Sequence, residues 1–324
     1  MRVLVVTNMY PSPEMPSFGT FVRDQVEALR AAGASVEVFF FNGRKSSWNY
    51  LWAFPRYWLH LLRNRYDVIH AHYVLAGVVA RAQWGHRVVL THHGPEVLGQ
   101  PRWQGPLCQL MTPLFDEVIH VTEQVRRTLG DRDGWVIPCG VDLDRFRPMP
   151  RDEARARLGL PLDKRLVLWA GEHWRPEKRF DLVLQTMERV KEVLPDAELV
   201  LLTKKPHDTV PAYMSACDAL ILTSALEGSP MVIKESMACN LPIVSVHVGD
   251  VPEVIGGTPG CALAERDPDD LAARLIEVLR QPRRTEGRSR IGHLRHDRIA
   301  RRVLEVYVRA LRPRRWMRRH ATSV

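Results

Sequence analysis

The 324-residue sequence predicts an α/β protein built from two parallel-sheet units. Three observations carry this. Short apolar, β-branched runs alternate with segments of helical period, the rhythm of βαβ units whose sheets are covered on both faces. The rhythm is interrupted once, at residues 136–150 (VIPCGVDLDRFRPMP), where three prolines and a glycine break every period. The length suits two units at about 150 residues per domain. The units are placed at residues 1–148 and 149–324.

The elements follow in chain order. Residues 2–6 read as a buried strand, and residues 19–32 set Val22, Val26 and Leu29 on one helical face. Residues 35–40, 68–72, 88–91 and 117–121 are further strands, with a helical pattern over 75–83. Beyond the linker, 165–170 is a strand and 180–193 a helix with Val183, Met187 and Val190 in step. Strands follow at 198–203, 219–223 and 242–246. Asp267 and Pro268 form an N-cap and first-turn pair opening a helix to about residue 280. Residues 301–311 make a last helix, with Val303, Tyr307 and Ala310/Leu311 at helical spacing.

Composition narrows the class. Hydrophobic residues at 45% and charged residues at 26% exclude a disordered chain. The formal charge of +9 is unevenly placed: residues 281–324 hold 14 arginines and three acids, while the rest of the chain is nearly neutral. A nucleic-acid reading from bulk charge therefore applies only to the end of the chain, and no binding module accompanies it there. The five cysteines (Cys108, Cys139, Cys217, Cys239, Cys261) form no CxxC pair, which argues against a disulfide framework or zinc site and for a reducing, cytoplasmic setting. The opening MRVLVV is too short for a signal sequence, and no apolar run approaches the roughly 18 residues of a membrane span.

The stretch richest in chemistry is ALILTSALEGSPMVIKESMACNLPIVSV, residues 219–246, which parses as strand, loop, helix, strand. Ser229 is suited to cap the helix and Pro230 to its first position. The amides of Met231, Val232 and Ile233 are then free donors at a positive helix end, a seat for phosphate at the carboxyl end of a strand. Glu227 lies in the loop and Glu235 on the helix. Taken alone, each also reads as an ordinary solvated acid.

These segments resemble the family 4 retaining glycosyltransferases. The marks are E-G-S-P-M-V-I-K-E, N-L-P-I-V-S-V, V-G-D-V-P-E, the linker V-I-P-C-G-V-D-L-D-R-F-R-P, the basic segment R-P-E-K-R-F-D-L, and Y-D-V-I-H-A-H with V-V-L-T-H-H-G in the first half. The family's pair of glutamates separated by seven residues is matched by Glu227 and Glu235. The resemblance implies the GT-B fold: two Rossmann-like domains whose parallel sheets face a central cleft, with the nucleotide sugar held mainly by the second. It implies that Glu235 accepts from the ribose hydroxyls and that Glu227 contacts the donor sugar. Gly228, Ser229, Met231 and Val232 then offer backbone N–H groups, with Pro230 among them but lacking one. Arg175 and Lys178 clamp the diphosphate as its charge grows, His93 faces the donor sugar, and Gly19 lets ligand approach the first strand–helix loop. No metal or other cofactor is implied.

The sequence departs from the pattern in places. Glu172 follows Gly171 where many members have Arg, and Arg175 is the residue placed to take over that function. Cys139 stands where Asn is usual. Residues 202–218 lack the longer glycine-rich insertion that helps grip the base, leaving the nucleotide open. Asp142-Leu143-Asp144 mimics a metal-binding DxD and reads as linker. His70, His72 and His92 read as core or rim histidines.

Two basic features stand outside the motifs. WNYLWAFPRYW, residues 48–58, holds six aromatics, and Arg44, Lys45, Arg56, Arg63 and Arg65 accompany it with no acid between Arg44 and Arg65. The stretch from Trp48 to Arg65 reads either as an anionic-membrane contact or as a helix packed with Trp58, Leu61 and Leu62 inward. Pro55 argues against one unbroken helix. The basic stretch from Arg312 to His320 reads as a second membrane contact or as a solvated end. The resemblance thus implies a retaining, metal-independent transferase moving a sugar from a UDP- or GDP-sugar to a lipid-linked or polysaccharide acceptor, on the inner face of the cell membrane. A nucleotide-sugar epimerase and an inactive membrane-binding module are the alternatives.

Overall fold

The computed structural model describes residues 1–15, 18–99 and 101–312. The first unit runs β1 (Arg2–Thr7), α1 (Thr20–Ala31), β2 (Ser35–Phe40), α2 (Trp48–Arg63), β3 (Val68–His72), α3 (Val74–Arg81), β4 (Arg87–His92), α4 (Gln104–Met111), β5 (Glu117–His120), α5 (Glu123–Leu129) and β6 (Trp135–Val136). The second runs α6 (Arg151–Leu158), β7 (Arg165–Ala170), α7 (Phe180–Val193), β8 (Ala197–Leu202), α8 (Val210–Ala216), β9 (Ala219–Leu222), α9 (Met231–Ala238), β10 (Ile243–Val246), α10 (Val251–Ile255), β11 (Cys261–Ala264) and α11 (Pro268–Arg280). Two further helices follow, α12 (Gly287–Arg290) and α13 (His296–Leu311).

The first sheet has the order β2-β1-β3-β4-β5-β6 and the second β11-β10-β9-β7-β8, with all named strand pairs parallel. Strand alternation explains the layering. Val3 and Val5 face one way, meeting Val22 and Val26 of α1 and Ile299, Val303 and Tyr307 of α13. Leu4 and Val6 face the other way, meeting Ala53 and Tyr57 of α2 and Ala76 and Val79 of α3. The chain's last helix thus completes the core of the first unit. Burial on both faces explains why the strands read as continuous apolar runs.

The connections between the units are paired. The linker donates from Val141 N to Leu294 O at 2.9 Å, and His296 N donates back to Val141 O at 3.2 Å. The arginines of residues 281–312 are tied to protein acceptors at several points. Arg288 donates to the carbonyls of Leu143 and Phe146 at 2.6 Å each, Arg295 pairs with Asp144 at 2.8 Å, and Arg309 pairs with Glu117 at 3.0 Å. Arg312 is the last described residue, so the basic stretch to His320 otherwise lies outside the described residues.

Several expectations change. α2 is continuous through Pro55, which lies on the exposed side, where the Leu51 carbonyl it leaves without a donor can be hydrated. Its inward residues are Ala53 and Tyr57; Trp58 and Leu62 face solvent. The last helix starts at His296, five residues before its predicted start. β6 and β11 were not foreseen: β6 is two residues long, and β11, Cys-Ala-Leu-Ala, has no β-branched or aromatic residue. Asp142 accepts from Asp144 N and Arg145 N at 2.9 and 3.0 Å, capping a linker turn.

Candidate active site

The loop of residues 223–230 leaves the carboxyl end of β9 and is fastened before it reaches α9. Thr223 Oγ1 donates to the carbonyls of Lys178 and Arg179 at 3.0 and 3.1 Å, and Ala225 N donates to Glu177 O at 2.7 Å. These bonds set Lys178 beside the loop, and its Nζ donates to Glu227 Oε1 at 2.6 Å, both side chains being mostly buried. Arg266 adds a second cation from beyond β11, donating to Ser224 O at 3.3 Å.

Arg175 is not part of that pair. It bonds Glu177 Oε1 at 2.7 Å from Nε, and Glu172 lies 4.0 Å from it. Its nearest carboxylates belong to its own turn, consistent with the departure at Glu172.

Ser229 does not cap α9. Pro230 occupies the cap position, with φ −65° and ψ 120°, and Met231 is the first helical residue. The Ser229 hydroxyl turns away, donating to Asp250 Oδ2 at 2.6 Å and accepting from Cys139 N at 3.3 Å. The cause is Lys234, fully buried one turn into α9. Its ammonium reaches Cys139 O at 3.0 Å, Asp250 Oδ2 at 2.9 Å and the Ser229 hydroxyl. Three N–H donors meet three acceptors. This network joins the linker, the loop and the turn before α10. Proline without an N–H suits the cap position, and the first amides of α9, at Met231, Val232 and Ile233, have no intrahelical acceptor. The side chains of Met231 and Val232 are half-buried.

Glu235, the residue after Lys234, is buried, with His207 Nε2 3.6 Å from its Oε1. His207 Nδ1 accepts from Arg145 NH1 at 3.1 Å, and Arg145 lies 3.9 Å from Asp24 of α1. A Nδ1 that accepts leaves the proton on Nε2, facing Glu235.

The first unit closes on this loop through backbone. A Cβ on Gly228 would collide with His93 O, and one on Gly249 with Gly228 O. At Gly94, with φ 109°, it would lie 2.7 Å from Gly228 Cα. Three glycines therefore let three loops touch without side chains between them. Gly19 has a related but internal reason. Its φ is 71° and a Cβ would sit 2.5 Å from Met9 C, so the chain's own backbone requires the glycine.

His93 is buried, and its Nε2 lies 3.0 Å from His72 Nδ1. Burial, then His72 and His92, hold its pKa well below the ordinary histidine value, so it is neutral. Burial pushes His72 down to about 3. His70 links Tyr307 and Thr91, at 2.7 Å each. Sequence reasoning missed Tyr73, which follows β3 with φ 74° and stacks on His93 at 5.2 Å. Burial first, then Glu96 and Glu227, raise its pKa well above 10, while Arg175 and Arg44 oppose them. Its signal was its place directly after a buried strand ending in histidine. His207 and Arg266 were missed as well, because nothing local distinguishes them from surface residues.

Glu227, Lys178, Glu235 and the start of α9 thus gather at the carboxyl ends of the second sheet, and His93 and Tyr73 meet them from the first. Gly19 and Arg175 hydrogen-bond elsewhere, Arg175 to Glu177, and Arg175 acts on this group only through its charge near Tyr73. Among the described residues no group of three or more His, Cys, Asp or Glu side chains is placed to hold a metal.

Residues 2–145 match the family described as Glycosyltransferase Family 4, and residues 164–281 match Glycosyl transferases group 1. A D-inositol 3-phosphate glycosyltransferase of Nocardiopsis dassonvillei is 28% identical, over 68% of this chain. The chain spans 63% of that relative's length. A putative teichuronic acid biosynthesis glycosyltransferase, TuaC of Bacillus subtilis, is 25% identical, covering 79% of this chain and 83% of that protein. Among solved structures, Anabaena HepE in complex with UDP and glucose superposes with a TM-score of 0.71 at 16% identity, over 95% of this chain and 99% of that one.

Proposed function

Because the chain belongs to the family 4 glycosyltransferases, whose GT-B fold it has, we propose that it moves a sugar with retention from a nucleotide-sugar donor to a lipid-linked or polysaccharide acceptor of a surface glycan. The observation that carries this reading is the convergence of the Lys178–Glu227 pair, Glu235 and the α9 N-terminus opposite His93 and Tyr73.

In this reading the diphosphate sits against the free amides of α9 and draws on Lys178, whose only charged partner at hydrogen-bonding distance among the described residues is Glu227. Negative charge grows on the leaving oxygen as the glycosidic bond breaks, and a cation already in place stabilises that charge without reorganisation. An oxocarbenium-like centre forms, the acceptor hydroxyl attacks from the same face, and its proton passes to the departing diphosphate oxygen. Neutral His93 and Tyr73 wall the sugar on the other side and exclude water. Glu235, steadied by His207, takes the ribose hydroxyls. Arg175 acts on the diphosphate only if it leaves Glu177. No step calls for a metal.

The test is Glu235→Ala, which should abolish donor turnover and leave the melting temperature near wild type. Full activity in that variant would sink the site assignment. Thermal shift against UDP-, GDP- and ADP-sugars identifies the donor by mass action, and the anomeric proton coupling of the product reads out retention. TuaC and the inositol phosphate enzyme support transfer to a polymer or to a small hydroxyl acceptor, respectively.

A further inference from the structure

A surface helix normally has one apolar face, turned to the core. α2 has two. Ala53 and Tyr57 face the first sheet, with Tyr50, Phe54 and Leu61 packed against the same core. The opposite side carries Trp48, Leu51, Trp52, Trp58, Leu59 and Leu62, all exposed, with Trp48 at 67%, Trp52 at 64% and Leu62 at 79%. At 100° per residue these six fall within about one third of the helix circumference. Arg56 and Arg63 line one flank, seven residues apart, and the helix holds no acid. A helix apolar all round is ordinarily buried, and among the described residues these six side chains stay exposed.

Its neighbours share the character. α2 lies beside α3, and α3 beside α4, on one side of the first sheet. α4 exposes Leu110 at 71%, and Trp103 precedes it, also exposed. Residues 38–115, which include all three helices, contain eight arginines and lysines against two acids. One of those acids, Glu96, is fully buried. The start of α2 also sits at the cleft: Tyr50, on its first turn, accepts at its hydroxyl from Asn8, just past the carboxyl end of β1, at 2.9 Å.

We propose that the outer face of α2 docks on an anionic lipid surface. Tryptophan and leucine side chains enter at headgroup depth while Arg56 and Arg63 meet lipid phosphates from the flank. The positive balance of this layer selects an anionic surface over a neutral one. Among the described residues no helix is long and apolar enough to cross a membrane, so α2 lies in the surface. The cleft edge beside Tyr50 then faces the layer from which a lipid-linked acceptor arrives.

The experiment is co-sedimentation of the full chain with vesicles of phosphatidylglycerol in phosphatidylcholine, and of phosphatidylcholine alone, without donor or turnover. Binding is thereby read apart from the transferase reading. Trp52→Ser/Leu62→Ser changes only exposed positions and should lower partitioning on the anionic vesicles about tenfold or more, with an unchanged melting temperature. Arg56→Gln/Arg63→Gln should cost about fivefold per cation on anionic vesicles and little on neutral ones. Wild-type partitioning in the Trp52/Leu62 variant overturns the proposal, as does absence of binding at low salt. A concentration-dependent dimer that this variant abolishes, with no vesicle binding, overturns it in favour of a second copy as the occupant.

Discussion

Lys234→Met removes the one ammonium that holds the linker, the loop of residues 223–230 and the turn before α10 together, at nearly constant side-chain length. Nζ is fully buried among Cys139 O, Asp250 Oδ2 and the Ser229 hydroxyl. The variant leaves Asp250, itself 7% exposed and with Oδ1 already lacking a partner, as an uncompensated carboxylate. Breaking a buried pair by removing one member costs about 3–5 kcal/mol. For a unit of this size that lowers the melting temperature by about 10 °C. Lys234→Met/Asp250→Asn removes the stranded charge and should recover at least about 2 kcal/mol as coupling energy. Calorimetry and urea unfolding of wild type, both single variants and the double read this out. A loss under about 1 kcal/mol in Lys234→Met, or strict additivity in the double, would refute the reasoning.

Other outcomes follow from the same geometry. Gly228→Ala should force the His93–Gly94 loop away and lower kcat/KM about tenfold or more, from about 1–3 kcal/mol of overpacking, with the second unit still folded by circular dichroism. Arg155 is fully buried and donates to the carbonyls of Ala216, Pro161, Leu162 and Lys164 and to Asp218, at 2.8–2.9 Å. Arg155→Met should therefore destabilise the second unit by about 3–5 kcal/mol in urea melts. Activity should be unchanged by EDTA, measured as initial rate; a loss restored by a divalent cation would count against the charge scheme. Lowering the pH should weaken the first unit. The unfolded chain protonates His72 below about 6.5 while the folded one does not until about 3. Stability is therefore full above pH 6.5 and falls by about 2 kcal/mol between 6.5 and 5 for this residue alone. His72→Gln should flatten that slope in pH-dependent melts.

Legibility in the sequence tracked how local each cause was. β1, with four consecutive apolar residues at Val3–Val6, and β10, apolar at three of four positions, carry near-continuous apolar runs because parallel sheets bury both faces, so they announce themselves. β6 has only two residues, and β11, Cys-Ala-Leu-Ala, holds no β-branched or aromatic residue to mark it as a strand. The pairing of Lys178 with Glu227 spans 49 residues and could not be read from either segment; only the motif resemblance set them in one site. Ser229 looked like a helix cap because its residue type suits one, and the local rule lost to an ammonium five residues on in sequence. Gly228 and Gly94 show the same limit. Gly228 reads as a backbone donor and Gly94 as the end of a motif, yet both are explained by contact across the cleft. Tyr73's one signal was its place directly after a buried strand ending in histidine, and His207 carries none, because its role comes from which helix lies opposite.

The paired crossing at Val141 and Leu294–His296 has a mechanical consequence. A single flexible linker would let one unit twist and tilt about any axis relative to the other. Two backbone segments bonded to each other at the crossing, one leaving the first unit and one returning to complete its core, resist twist and leave a swing about their common line. The glycine contacts lie beside that line, Ser229 next to Gly228 bonding Cys139 of the linker, and they are main-chain contacts, so they set a fixed stop for the swing. The molecule is built as a door with a doorstop, in which the closed position is defined by main-chain contact and not by the side chains that do the chemistry.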